Sequence, residues 1–108
     1  MVEVRIATMT VPAVYLLEAE LDIWAAWHYH ERKSVGLGDR LAIAIRNTVR
    51  LICDNPKNYG TTTQNVRAAP VRKFPYVVYH RDRGPDVLIV AIQHGRRNSK
   101  KWHKRLKQ

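Results

Sequence analysis

Arg72-Lys73-Phe74-Pro75-Tyr76-Val77-Val78-Tyr79-His80-Arg81 and, after a five-residue connector, Val87-Leu88-Ile89-Val90-Ala91-Ile92-Gln93-His94-Gly95-Arg96-Arg97 decide the fold. Both runs are rich in β-branched and aromatic residues, and Asp82-Arg83-Gly84-Pro85-Asp86 between them holds the Gly and Pro of a short reversal. They predict two antiparallel strands. Arg72, Lys73 and Arg81 flank the first strand, while His94, Arg96 and Arg97 close the second. In an antiparallel pair the start of one strand lies beside the end of the next, so Arg72 and Lys73 are expected near His94, Arg96 and Arg97 as one cationic patch.

Outward from this hairpin the periodicity changes. Upstream, Val66 to Phe74 reads as a further strand carrying Arg67, Arg72 and Lys73, with an edge position or bulge at Pro70, which has no N–H for a ladder. Leu37, Leu41, Ile45, Thr48, Val49 and Ile52 line one face of a helix from about Asp39 to Asp54, ended by Asn55-Pro56. An earlier helix runs from Glu18 to about Ser34. Leu17, Leu21, Trp24 and His28 form its stripe, with Ile23, Ala26 and Trp27 beside it. Its aromatics are read as core and helix-to-sheet packing. Gly36-Leu37-Gly38 turns the corner between the two helices, which are expected to pack as a hairpin on one sheet face. Val14-Tyr15-Leu16-Leu17 after Pro12 reads as a first strand. Residues 1–12 are an extension in which Val2, Val4 and Ile6 alternate as in a strand, and residues 98–108 are a basic short helix or tail anchored by Trp102. The fold class is α+β, a helical hairpin on a twisted, mostly antiparallel sheet of about four strands.

A chain of 108 residues builds one modest core, so residues 1–108 are read as a single domain. The formal charge is +10, unevenly spread. Residues 1–54 carry six Lys/Arg against seven Asp/Glu, net −1, and residues 55–108 carry thirteen against two, net +11. The hairpin half is therefore expected to meet an anionic partner, whether RNA, DNA, a ribosome or an acidic protein. The single cysteine, Cys53, excludes an internal disulfide and sits in an apolar helical pattern as a buried small hydrophobe. No stretch reaches the ~18 apolar residues of a membrane span, and the start lacks a secretory signal, so a cytoplasmic protein with no membrane partner is expected.

The spacing excludes a zinc centre, since His28 and His30 point apart on a helix and no Cys or carboxylate completes a set. A nucleophile elbow and a phosphate loop are also missing, so neither metal nor cofactor is expected. What remains is acid/base chemistry on a phosphodiester, or binding without chemistry. Metal-free RNA cleavage needs a base for the 2′-hydroxyl, an acid for the leaving oxygen and cations for the phosphorane. His94 is the leading proton mover, with Arg67, Arg72 and Arg81 as cationic groups. His80, Tyr79 and Tyr76 are further candidates.

Leu17-Glu18-Ala19-Glu20 with Asp22-Ile23, Gly36-Leu37-Gly38, Asp54-Asn55-Pro56, Val66-Arg67, Phe74-Pro75-Tyr76, His94-Gly95-Arg96-Arg97 and Trp102 occur in this order over residues 14–105. The pattern resembles the RelE/ParE superfamily of type II toxin–antitoxin toxins, closer to its ParE-like side. That resemblance implies growth arrest by poisoning DNA gyrase or, for RelE-like members, by cutting messenger RNA on the ribosome. It also implies neutralisation by a cognate antitoxin within a hetero-oligomer. Arg67, Arg72, Lys73, Arg81, Arg96, Arg97 and Trp102 are then the target-binding candidates. Leu21, Trp24, Trp27, Arg46 and Arg50 on the two-helix face are the antitoxin-binding ones. A basic nucleic-acid- or ribosome-binding protein without toxicity is the competing class.

Overall fold

The computed structural model describes residues 11–95 and 101–106. The expectations for residues 1–10, and those for Arg96 and Arg97, fall outside these. The chain runs β1 (Ala13–Tyr15), α1 (Leu17–Lys33), α2 (Leu37–Asp54), a short 3-10 turn (Pro56–Asn58), β2 (Arg67–Pro70), β3 (Tyr76–Asp82), β4 (Val87–His94) and a C-terminal 3-10 segment (Lys101–Leu106). The sheet order is β1-β4-β3-β2, with β1 parallel to β4 and the other pairs antiparallel. This is the expected α+β architecture.

Each strand sorts its side chains between two cores. Val78, Val87, Ile89 and Ile92 join Leu41, Ile45, Val49 and Ile52 of α2 on the helical side. Tyr79, Leu88, Val90 and Ala91 join Val66 and Trp102 on the other. Strict alternation along β4 would not allow both Val90 and Ala91 on one side. A bulge resolves this: Tyr79 pairs with Ala91 and His80 with Ile89, leaving Val90 as the extra residue. With both faces covered, β4 is buried from Val87 to Gln93, which explains its unbroken apolar run.

The bulge leaves backbone groups on the β1 side of β4. Because β1 has three residues, its ladder stops at Ile89, whose carbonyl accepts from the Leu16 N–H at 3.0 Å. Beyond that point Arg105 Nη1 donates to the Val90 carbonyl at 3.0 Å, and the Ile92 N–H donates to Asp22 Oδ2 at 3.0 Å. Asp22 and Arg105 close on each other through two bonds of 2.7 and 3.0 Å. One ion pair thus satisfies the uncovered edge of β4 and ties α1 to the C-terminal segment.

The helices corner tightly. Gly36 adopts φ +90°, which an L side chain rarely takes. Glu31 reaches forward from α1 to accept from the Gly36 and Gly38 N–H groups, each at 2.9 Å, and so caps α2 with a carboxylate. Trp27 Nε1 donates to Asp39 at 2.9 Å. Gly38 is where the backbones meet: a Cβ there would stand 2.7 Å from the Trp27 carbonyl oxygen.

Three expectations are corrected. First, α1 shows its bulky stripe to solvent, with Leu17, Leu21 and Trp24 53–66% exposed, while Ala19 and Ala26 are buried. Second, the strand expected over Val66 to Phe74 ends at Pro70, and β3 begins only at Tyr76. Between them the Val71 N–H donates to the Tyr76 carbonyl and the Phe74 N–H to the Val71 carbonyl, with Lys73 at φ +69°. Arg72 and Lys73 therefore ride a turn, because Pro70 and Pro75 both lack the N–H that would extend a ladder. Third, α2 begins at Leu37 rather than Asp39, drawn back by the Glu31 cap.

Gly38→Ala forces the helices apart and is expected to cost about 1–3 kcal/mol in chemical denaturation. Asp22→Ala leaves the Arg105 guanidinium, only 17% exposed in its side chain, without its carboxylate. That variant should lose about 3 kcal/mol, and Asp22→Asn, which keeps an acceptor for the Ile92 N–H, measurably less.

Candidate functional site

The sequence candidates are spread over four places. His94 stands at the end of β4 opposite Tyr76 and borders a hollow of about 590 Å³ between α1 and the sheet, lined also by Tyr29, His30, Lys33 and Arg105. His30 Nε2 lies 3.3 Å from the Tyr76 hydroxyl, and the Tyr76 ring packs edge-on to both His30 and His94, at 5.6 and 5.9 Å. Burial, helped by the Lys33 charge, holds His30 below the usual imidazole range. His30 was missed from the sequence. Its signal is its place four residues after the buried Ala26, which puts it on the inner side of α1.

Arg72 and Lys73 border a different hollow, of about 520 Å³, with Leu37, Arg40, Ile43, Ala44 and Phe74. It has an apolar floor and three cations at its rim. The turn at Val71–Phe74 sets Arg72 and Lys73 in this hollow beside α2, whereas His94 lines the other one; Arg96 and Arg97 of the expected patch lie outside the described residues.

Arg67 and Arg81 are held by loop carbonyls. Arg67 Nη1 donates to Tyr59 at 2.6 Å and to Lys57 at 3.3 Å, and Arg81 Nη2 donates to Gln64 at 2.5 Å. The two arginines pin the loop over residues 57–65 to β2 and β3. Beneath it His80 is fully buried, edge-on to Tyr59 at 5.6 Å, and neither ring nitrogen has a partner in hydrogen-bonding geometry. Burial pushes His80 below the usual range, against weaker pulls from the Val78 and Pro56 carbonyls. Trp102 is likewise buried, packed on Tyr79 with ring centroids 5.2 Å apart, so its ring anchors the C-terminal segment to the sheet.

The fourth place is the two-helix face. Leu21 and Trp24 of α1 and Arg46 and Arg50 of α2 are exposed, while Trp27 is half-buried against Trp24 and His28. Among the described residues no group of three His, Cys, Asp or Glu could hold a metal ion, and no helix is long and apolar enough to cross a membrane. Cys53 is buried, and burial raises its thiol pKa, which makes it a poor nucleophile.

Two helices on a four-stranded sheet of order β1-β4-β3-β2 make a small α+β domain that displays its candidate site residues at several points. A chain of the chromosomal ParDE TA system from P. aeruginosa has the same fold, with a TM-score of 0.71 over 81% of this chain and 98% of that one, at 14% identity. Among curated proteins none matches. The family model of the ParE toxin of the type II toxin-antitoxin system, parDE, matches residues 14–99, and the chain belongs to that family.

His80 supplies a pH test. Its folded pKa is lowered, so below the unfolded value of about 6.5 the unfolded chain takes up a proton that the folded chain does not. Stability should therefore fall as pH drops through about 6.5, and the measured slope of unfolding free energy against pH should be shallower in His80→Phe.

Proposed function

We propose that this ParE-family toxin arrests growth by binding DNA gyrase and that a cognate antitoxin neutralises it. The observation that carries the reading is that the arginines named for a metal-free nuclease lie outside the His94 hollow, whose own cations Lys33 and Arg105 are engaged by the Tyr29 ring and by Asp22. Cleavage needs a proton mover and cations within reach of one phosphate. Here His94 borders the α1 hollow, Arg72 borders the α2 hollow, and Arg67 and Arg81 serve the 57–65 loop. Separate exposed cations fit a broad anionic or acidic surface better than they fit a single scissile bond.

The antitoxin contact is assigned to the two-helix face. An amphipathic helix can lay apolar side chains on Leu21, Trp24 and the edge of Trp27 and carboxylates toward Arg46 and Arg50. An acidic, disordered tail would continue toward the net +11 half of the chain, forming a toxin–antitoxin hetero-oligomer.

The decisive measurement is inducible expression in a bacterium without antitoxin, following DNA breaks and transcript integrity over the minutes after induction. Gyrase poisoning predicts breaks with intact transcripts. It also predicts graded losses for Arg72→Ala, Lys73→Ala and Arg40→Ala, each within about fivefold, as for surface charges. Rapid transcript cleavage without breaks, together with a loss on the order of 10²-fold or more for His94→Ala alone, would replace this reading with ribosome-dependent cleavage of messenger RNA.

A further inference from the structure

The hollow of about 520 Å³ between α2 and the turn at Val71–Phe74 combines a hydrocarbon lining with unopposed positive charge. Leu37, Ile43, Ala44 and Phe74 supply the hydrocarbon, and Ile43 is 50% exposed although it is a large apolar side chain. Arg40, Arg72 and Lys73 complete the lining; all three are exposed, and no carboxylate stands in the hollow with them. Arg67 and Arg81, by contrast, are taken up by loop carbonyls.

The three cations come from two sides, Arg40 from the first turn of α2 and the other two from the loop between β2 and β3. That loop is held in shape. The Val71 N–H donates to the Tyr76 carbonyl at 2.8 Å, and Lys73 sits at φ +69°, a conformation that costs a lysine free energy. Strain of this kind collects where a backbone is fixed to present side chains to a ligand.

The lining selects the ligand. Apolar residues with cations on either side fit a chain that carries one bulky apolar side chain between carboxylates. An oligonucleotide fits less well. Apart from the cations, no lining side chain has a polar atom to read a base edge, and the one ring, Phe74, is half-buried and packs edge-on to His30 at 5.9 Å. The hollow is also separate from the antitoxin face: no residue of α1 lines it, nor do Arg46 and Arg50.

We propose that the α2 hollow binds an acidic peptide segment of the toxin's protein target, seating one bulky apolar side chain on Leu37, Ile43 and Phe74 while flanking carboxylates meet Arg40 on one side and Arg72 and Lys73 on the other. The inference rests on the gyrase reading above for the identity of that target, and on the hollow alone for the chemistry of the segment.

The test is fluorescence anisotropy of a labelled peptide, a single leucine in the middle of a run of Asp and Glu, titrated with the purified full chain. Saturable binding is expected with a Kd on the order of 10–100 µM, as for a short segment that must order on docking. Serine in place of the peptide's leucine should weaken binding about tenfold or more, and Ile43→Ser in the protein about threefold or more. Arg40→Ala, Arg72→Ala and Lys73→Ala should each cost about threefold, and the triple variant about thirtyfold, with circular dichroism confirming that each keeps its fold. Absence of saturable binding would overturn the proposal. So would equal binding of the serine peptide, or tighter binding of an oligothymidylate through the same three cations. DNA breaks in cells without peptide binding would sink this inference and leave the gyrase reading standing, whereas peptide binding without breaks would sink the gyrase reading alone.

Discussion

The ion pair between Asp22 and Arg105 joins α1, β4 and the C-terminal segment at one point. β4 is the spine of the sheet, and its bulge at Val90 turns two consecutive side chains onto one face. The backbone groups on its outer side must then be satisfied by something other than a strand, because β1 is too short to reach them. A carboxylate from α1 takes the Ile92 N–H, a guanidinium from the C-terminal segment takes the Val90 carbonyl, and the two charges neutralise each other. The orientation of α1, the seating of Trp102 and the closure of the β4 edge all rest on this arrangement. An open edge there would be a template for pairing with another chain, and the ion pair shuts it.

The helical corner obeys a second constraint of the same kind. Glu31 supplies the acceptors that the first turn of α2 lacks, and it can do so only because α2 starts beside the end of α1. That proximity requires a residue without a Cβ at Gly38. The two helices thus form one plate joined at its corner. Its inner surface packs on the sheet, and its outer surface is available to partners.

The hairpin, the four strands and the α2 face were legible in the sequence because each is written locally. Strand residues of high β-propensity flank a Gly-Pro connector, and α2 repeats apolar residues at helical spacing. The face of α1 was not. That helix carries two rows at the same four-three-four spacing, Leu17/Leu21/Trp24/His28 and Ala19/Ile23/Ala26/His30, on opposite sides. Hydrophobicity favours the bulky row, but the inner row is the one with small residues, since the sheet lies close beneath it. Periodicity tells which residues share a side and leaves open which side is covered. Of the candidate site, the hollows that the residues line were not legible. Arg72 and Lys73 ride the turn at Val71–Phe74, where Lys73 takes a positive φ that strand propensity does not signal. Asp22 and Arg105 lie 83 residues apart and leave no local trace at all.

The division of charge follows the division of the fold. The helical plate comes from the near-neutral half of the chain and presents an apolar ledge flanked by charges of both signs, a surface suited to another helix. The hairpin half carries the cationic excess. Part of that excess is already used within the fold: Arg67 and Arg81 bind loop carbonyls, Arg83 closes the β3–β4 connector on Asp86, and Arg105 closes the β4 edge. The cations left on display stand on turns and rims, with Arg40, Arg72 and Lys73 together at the rim of the α2 hollow. A surface built that way stabilises an extended contact, because each charge contributes separately and none is positioned by another. Acid/base catalysis asks for a few groups held against one another and against one phosphate, and Arg72 and Lys73 line a hollow that His94 does not.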